Sequence, residues 1–423
     1  MSEYKRRIAD YLLQEKLDGV GAVLIEGPKW CGKTTTAAQH AKSIVYLDDT
    51  EGTDWLQLAS VNPKAVLDGA VPRLIDEWQN APRLWDAVRM QVDRRGMEGQ
   101  FILTGSAVPP DDAMVMHSGT GRFSWLMMRP MSLWESGESN GGVSLRRLFD
   151  RPDEIFATSE LTLEDIAYLI CRGGWPRATM QKRRVALGRA FDYYDAVVKR
   201  DISRVDGIRR DTERAKRIMR SYARHQGSQA SINAIAADIS AGDGSGIDEK
   251  TINSYLAALR KIFVIEDMAA WNPNLRSKTA IRTSDTRYFI DPSIATASLG
   301  LGPDDLLNDL NTLGLLFETM CVRDLRVFSE ALGGGVYHYR DKSGLECDTV
   351  VHLRNGDYGL VEIKLGGQEH IEAGATSLKT LAAKIDTSRM KVPSFLMVLT
   401  AVGMFAYRRE DGVYVVPVGT LKD

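Results

Sequence analysis

The stretch Gly27-Pro28-Lys29-Trp30-Cys31-Gly32-Lys33-Thr34 constrains this chain more than any other. It reads G-x-x-x-x-G-K-T, and its flanks decide what it means. The apolar run Gly21-Ala22-Val23-Leu24-Ile25 before it suits a buried parallel strand, and residues 35–41 after it open a helix. Strand, glycine turn and helix N-terminus together form an anion cradle. Backbone N–H groups reach a phosphate there, and the helix dipole adds positive potential. Gly27, Pro28, Lys29, Trp30, Cys31, Gly32, Lys33, Thr34 and Thr35 are therefore the expected contacts of ATP. Lys33 is placed to reach the β- and γ-phosphates, and Thr34 to offer its hydroxyl to Mg2+.

A second strand, Arg73-Leu74-Ile75, ends in two adjacent acids, Asp76 and Glu77. Two carboxylates at a strand end are costly unless a cation or a water network meets them. With a P-loop upstream, Asp76 is the expected partner of Mg2+. Glu77 is then the group that orients and polarises the attacking water. A third strand, Phe101-Ile102-Leu103-Thr104-Gly105-Ser106, ends in small polar residues. Thr104 or Ser106 could sense the γ-phosphate, or simply close the strand in a Gly-Ser turn. Arg122 follows a glycine-rich loop and precedes an apolar strand. It offers a transition-state cation to its own or a neighbouring subunit, or is a solvated loop residue.

The set GPKWCGKTT, RLIDEWQ, FILTGS and GTGRF resembles the AAA+ ATPases of the archaeal-type, Orc-like branch. The resemblance implies a doubly wound parallel α/β sheet with a helical lid, binding ATP and Mg2+. Gly173-Gly174-Trp175-Pro176 looks like that family's element after the sheet, with Arg177 where an acid is expected. Arg200-Asp201-Ile202 resembles a signature of a subset of these ATPases. That makes Arg200 a second candidate for a contact between subunits.

A net charge of −2 gives the chain no overall attraction to nucleic acid, so any such surface must be local. Residues 182–224 supply one: fourteen Lys and Arg stand there against six acids, with Phe191, Tyr193, Tyr194 and Tyr222 interleaved. Such a zone can track a phosphate backbone. Its plainer reading is a set of ion-paired helix faces. Downstream, Ile252, Tyr255, Leu256 and Leu259 mark one face of a helix, and residues 263–268 read as a wing strand. The pattern is a winged helix, with Lys250, Thr251, Asn253 and Ser254 on the exposed side. Asp248 and Glu249 in the first turn would repel phosphate, and winged helices also contact proteins.

The last third carries Glu318 on a predicted helix, then Asp348, then Glu362-Ile363-Lys364 in a strand. Period-2 alternation puts Glu362 and Lys364 on one face, and Asp348 on a neighbouring strand can converge on them. This matches the core of PD-(D/E)xK nucleases. Asp348 and Glu362 would bind Mg2+, Lys364 would help activate water, and Glu318 would add an outer carboxylate. A surface Glu/Lys strand beside a hairpin gives the same pattern.

The whole chain resembles AAA+ ATPases with a winged helix and a C-terminal restriction-endonuclease-like α/β domain. The implied division is 1–180, 181–275 and 276–423, ordinary for 423 residues. Four scattered cysteines form no metal or disulfide pattern, and no run approaches membrane-spanning length. A cytoplasmic homo-oligomer is expected, hydrolysing ATP on duplex or branched DNA such as Holliday junctions. The rival expectations are a nucleotide-controlled switch for protein assembly in defence or stress signalling, and an ATP-regulated nuclease.

Overall fold

The computed structural model describes residues 4–48, 53–106, 119–243, 246–273 and 281–423. The expected boundary at 275/276 and the residues His117 and Ser118 ahead of the GTGRF stretch lie outside them. The described chain forms two compact units that are not consecutive in sequence. The first comprises residues 1–130, 196–212 and 254–264; the second comprises 131–195, 213–253 and 265–423.

The first unit is built on a sheet of β1 (Ala22–Glu26), β2 (Ser43–Tyr46), β3 (Arg73–Asp76), β4 (Phe101–Gly105) and β5 (Phe123–Met127). The strand order is β2-β3-β4-β1-β5, and every pairing is parallel. A parallel sheet needs cover on both faces, and strand alternation supplies it. Ala22 and Leu24 point into one apolar layer with Ile75, Phe101 and Leu103. Val23 and Ile25 point into the other with Leu74 and Ile102. Helices α1 (Ile8–Gly19) and α2 (Lys33–His40) line the second layer through Leu13, Leu17 and Ala37. Leu84, Trp85, Val88 and Val92 of the helix Leu84–Arg95 line the first. This is the α/β fold with a parallel sheet that the resemblance implies.

The second unit holds a seven-stranded mixed sheet. Its core runs helix Leu310–Ala331, then β6 (Gly334–Arg340), β7 (Glu346–Leu353) and β8 (Tyr358–Lys364), then helix Gln368–Lys384, then β9 (Phe395–Thr400). The first three of these strands pair antiparallel in sequence order, and β8 pairs parallel with β9. Ala375, Leu378 and Leu381 of the helix Gln368–Lys384 pack onto Val350, Leu360 and Val398 of the sheet. Helix Leu310–Ala331 is buried along most of its length, as an element inside a large domain must be.

The region 181–275 contributes to both units. Its three long helices after residue 210 are Thr212–Arg224, Ile232–Asp243 and Glu249–Lys261. Ile252, Tyr255, Leu256 and Leu259 are buried, as their spacing predicts. The expected wing strand over 263–268 differs. Ile265 and Met268 make isolated bridges to Phe289 and Thr286, and no continuous strand forms. No helix among the described residues is long and apolar enough to cross a membrane.

Candidate nucleotide site and carboxylate–lysine cluster

The P-loop sits between β1 and α2, at the C-terminal edge of the parallel sheet. Its first glycine is required twice over. Gly27 has φ +148°, and a Cβ there would stand 2.1 Å from the Met128 carbonyl oxygen. Trp30, also in the loop, holds a left-handed φ of 67°. Lys33 is buried, and its Nζ donates to the carbonyls of Gly27 at 2.9 Å and Pro28 at 2.8 Å. The ammonium is thus held inside the loop that carries it. Thr35 is exposed on the first turn of α2.

Asp76 ends β3 and is buried. Its Oδ1 accepts from the Thr34 hydroxyl at 2.8 Å and from the Thr104 hydroxyl. Burial pushes the Asp76 pKa above the ordinary carboxylate value, and Glu77 and Asp48 add to the rise, while the two hydroxyls oppose it. A buried acid in that position gains from a cation. Glu77 follows in the left-handed region at φ 54°, which turns its side chain away from the strand path. Its Oε2 accepts from Ser106 at 3.0 Å and from Gln79. So Thr104 and Ser106 divide the two acids between them. The Gly27 cradle, the Thr34–Asp76 pair and the raised Asp76 fit a nucleotide phosphate with Mg2+.

Arg122 is not part of this constellation in its own chain. Its carbonyl accepts from Ala22 N–H at 3.0 Å, at the start of β1. Five residues of strand, about 16 Å, separate that level from Gly27. Its guanidinium pairs instead with Asp93 at 2.8 Å. Arg200 is exposed at the end of a π-helical turn, Val197–Asp201. The Gly-Gly-Trp element is in the second unit. Gly174 N–H donates to Asp291 at 2.9 Å and Trp175 Nε1 to Ser293 at 2.9 Å. Arg323 holds the same Asp291 at 2.9 Å, so these partners make the element part of a buried ion-pair network.

Sequence patterns missed Arg7. It is buried ahead of α1, and its guanidinium donates to the carbonyls of Cys31 and Arg129, each at 2.9 Å. It braces the P-loop from behind. A single arginine before a helix carries no periodic signal, so only the folded contact reveals it.

In the second unit the four expected residues do converge. Lys364 Nζ lies 2.6 Å from Glu362 and 3.3 Å from Asp348. Asp348 also accepts from the Ile363 N–H at 2.7 Å. Glu318 is bound by the hydroxyl of Tyr288, another residue the sequence did not flag. Burial, then the charge of Asp348, raises the pKa of both Glu318 and Glu362 to about 8. Burial opposes the Lys364 charge, but Asp348 and Glu362 more than offset it and raise its pKa. The expected metal pair, Asp348 and Glu362, is therefore bridged by an ammonium. Among the described residues no three His, Cys, Asp or Glu are grouped to hold a metal ion. As arranged, the donor set does not fit Mg2+.

The basic stretch divides between the units and is partly structural. Tyr193, Tyr194 and Tyr222 are buried, so they serve the core and are not free to stack on bases. Arg183 pairs with Asp165, Lys216 with Glu213 and Arg224 with Asp238. Pairs of this exposed kind are weak, and their cations stay open to other anions. Arg210 is different: its side chain is 3% exposed and it grips Asp206 through two bonds of 2.7 and 2.8 Å. Arg210→Ala should lower stability by about 2 kcal/mol, whereas Arg209→Ala, at an exposed position, should change it little. Thermal unfolding of the two variants checks this, and equal transitions would refute it.

One comparison with known families agrees with the first unit's geometry. Residues 20–136 match the model of an AAA domain. Residues 163–305 and 313–421 match two domains of unknown function, DUF8612 and DUF4143. The uncharacterized proteins Rv2008c of Mycobacterium tuberculosis and Mb2031c of Mycobacterium bovis are each 25% identical over 364 residues. Those matches span 85% of this chain and 74% of theirs. A Walker-type ATPase of Pyrococcus abyssi, PABY2304, aligns over 70% of this chain and 96% of its own at 14% identity, with a TM-score of 0.43. Over residues 20–136 the chain is similar to AAA domains, and the geometry of Gly27, Lys33, Thr34 and Asp76 supports an ATPase-like P-loop site there.

Proposed function

We propose that this chain hydrolyses ATP with Mg2+ and couples the cycle to binding or remodelling DNA, acting as a cytoplasmic homo-oligomer. The observation that carries the ATPase is the double donation of Thr34 and Thr104 to Asp76, with Glu77 turned beside it. Thr34 and Asp76 would hold Mg2+, which supplies charge neutralisation on the phosphates. Lys33 would exchange its loop carbonyls for the β- and γ-phosphates. Glu77, steadied by Ser106 and Gln79, would orient the attacking water and take its proton.

The DNA part rests on two supports. Exposed cations lie along 182–224, among them Arg184, Arg204, Arg209 and Arg220. The α-β-β-β-α-β run from Leu310 to Thr400, with Glu362 and Lys364 on β8, resembles the core of PD-(D/E)xK domains, which handle nucleic acid. Because Lys364 bridges the acids, we assign this domain to DNA binding, with duplex or branched DNA such as Holliday junctions as its ligand. The burial of the three tyrosines favours a second reading, the nucleotide-controlled protein-assembly switch, in which the middle helices contact protein.

The ATPase rate separates the two. It should be measured with single-stranded DNA, duplex, fork and four-way junction in Mg2+ at two salt concentrations. Stimulation by one structure, lost at the higher salt, is expected. A rate indifferent to all of them would overturn the DNA reading and favour the switch.

A further inference from the structure

The Arg200-Asp201-Ile202 stretch is assigned no step in the proposed hydrolysis, yet it reaches the P-loop. Residues 196–212 belong to the same compact unit as the loop. Ile202 is fully buried and anchors the stretch. Arg200 faces outward. Asp201 turns to the P-loop, and its Oδ1 lies 2.7 Å from Nζ of Lys29. The turn that presents it, Val197–Asp201, is π-helical, a geometry concentrated at functional positions. The segment after this turn is held firmly. Arg210 donates to the Ile202 carbonyl at 2.8 Å and grips Asp206, and its N–H donates to Ser203 Oγ at 2.9 Å. Asp201 therefore sits on a clamped stub, not on a free loop.

Lys29 stands in the loop that would surround a nucleotide phosphate, between Gly27 and Lys33. Chemistry offers its ammonium two kinds of anion: the Asp201 carboxylate and the phosphates of a nucleotide. It cannot satisfy both fully with one charge. Its side chain is 43% exposed and that of Asp201 11%, so the pair is screened and weak enough to exchange.

We propose that Asp201 is a positioning residue that competes with nucleotide phosphates for Lys29, so that phosphate binding releases the turn 197–201 from the P-loop. Occupancy of the loop would then reach the basic stretch 182–224, in which this turn lies. The inference rests on the P-loop reading, and it adds a route by which nucleotide is sensed outside the sheet.

Fluorescent ADP titrations and hydrogen exchange test it on the full chain. Asp201→Asn should bind ADP about two- to fivefold more tightly, the range open to a partly exposed pair. Lys29→Met should bind it more weakly. Adding Asp201→Asn to Lys29→Met should change nothing further, since the partner is gone. In the wild type, ADP should speed amide exchange across 197–201; in Asp201→Asn those amides should exchange fast without it. Unchanged affinity and unchanged exchange in Asp201→Asn, with a wild type that binds ADP, would overturn the competition alone. An additive double variant would do the same, since a merely structural role predicts additivity. A wild type that binds no nucleotide would overturn the P-loop reading and this inference with it.

Discussion

Lys33→Ala is expected to lower ATP turnover on the order of 10²- to 10³-fold, the loss that comes with removal of one aligned charge-stabilising donor. Lys33 is the buried cation of the loop and its Nζ rests on two loop carbonyls, so its replacement frees those oxygens for water and leaves the sheet untouched. Glu77→Gln should lose turnover by a comparable factor and keep nucleotide. Its amide still fills the place beside Ser106 and Gln79 but cannot accept the proton of water. The two variants thus separate binding from chemistry. Steady-state phosphate release, read together with nucleotide affinity, is the measurement. Undiminished release in Lys33→Ala would remove the P-loop from the mechanism. Undiminished release in Glu77→Gln would move the water-orienting role to another residue.

How much of this was readable in the chain depends on how local each signal is. The P-loop and the acids at Asp76 and Glu77 were readable because the strand–turn–helix context lies within a few residues of each motif. The helix face of Ile252, Tyr255, Leu256 and Leu259 was readable for the same reason. The pair Glu362 and Lys364 came from strand alternation alone. Arg122 went the other way. Its loop suggested a place near phosphate in its own or a neighbouring subunit, but a residue ahead of a strand lies, in a parallel sheet, at the end away from a loop that follows one, so Arg122 is far from the P-loop of its own chain. Arg7, Tyr288 and the Lys29–Asp201 pair were unreadable because each depends on partners far away in sequence. The interleaved tyrosines were misleading: aromatic residues beside cations suit base stacking and core packing alike, and here packing wins.

Lys364→Met should destabilise the second unit by about 3–5 kcal/mol at pH 8, the cost of leaving buried charge without its partner. Lys364 is the cation between Glu362 and Asp348, and Glu318 faces the same cluster. The methionine fills a similar volume, so the loss is electrostatic. Its sign with pH is fixed by the raised carboxyls. In the wild type, Glu318 and Glu362 have folded pKa values raised to about 8, against about 4.3 for an unperturbed Glu. The unfolded chain therefore releases these protons first, and stability falls as pH rises through that window. Without the ammonium, ionisation inside the fold becomes harder still, so the decline in Lys364→Met should continue to higher pH, and the two curves should separate above about pH 7. Below about pH 5 both carboxyls are protonated in the folded chain, and the two proteins should converge, save for the contribution of Asp348. Calorimetric unfolding from about pH 5 to about pH 9 resolves the curves. Curves that stay parallel up to about pH 9 would mean that the cluster is solvated and carries no buried charge. A variant more stable than wild type at about pH 8 would mean that the lysine costs more to bury than the acids return.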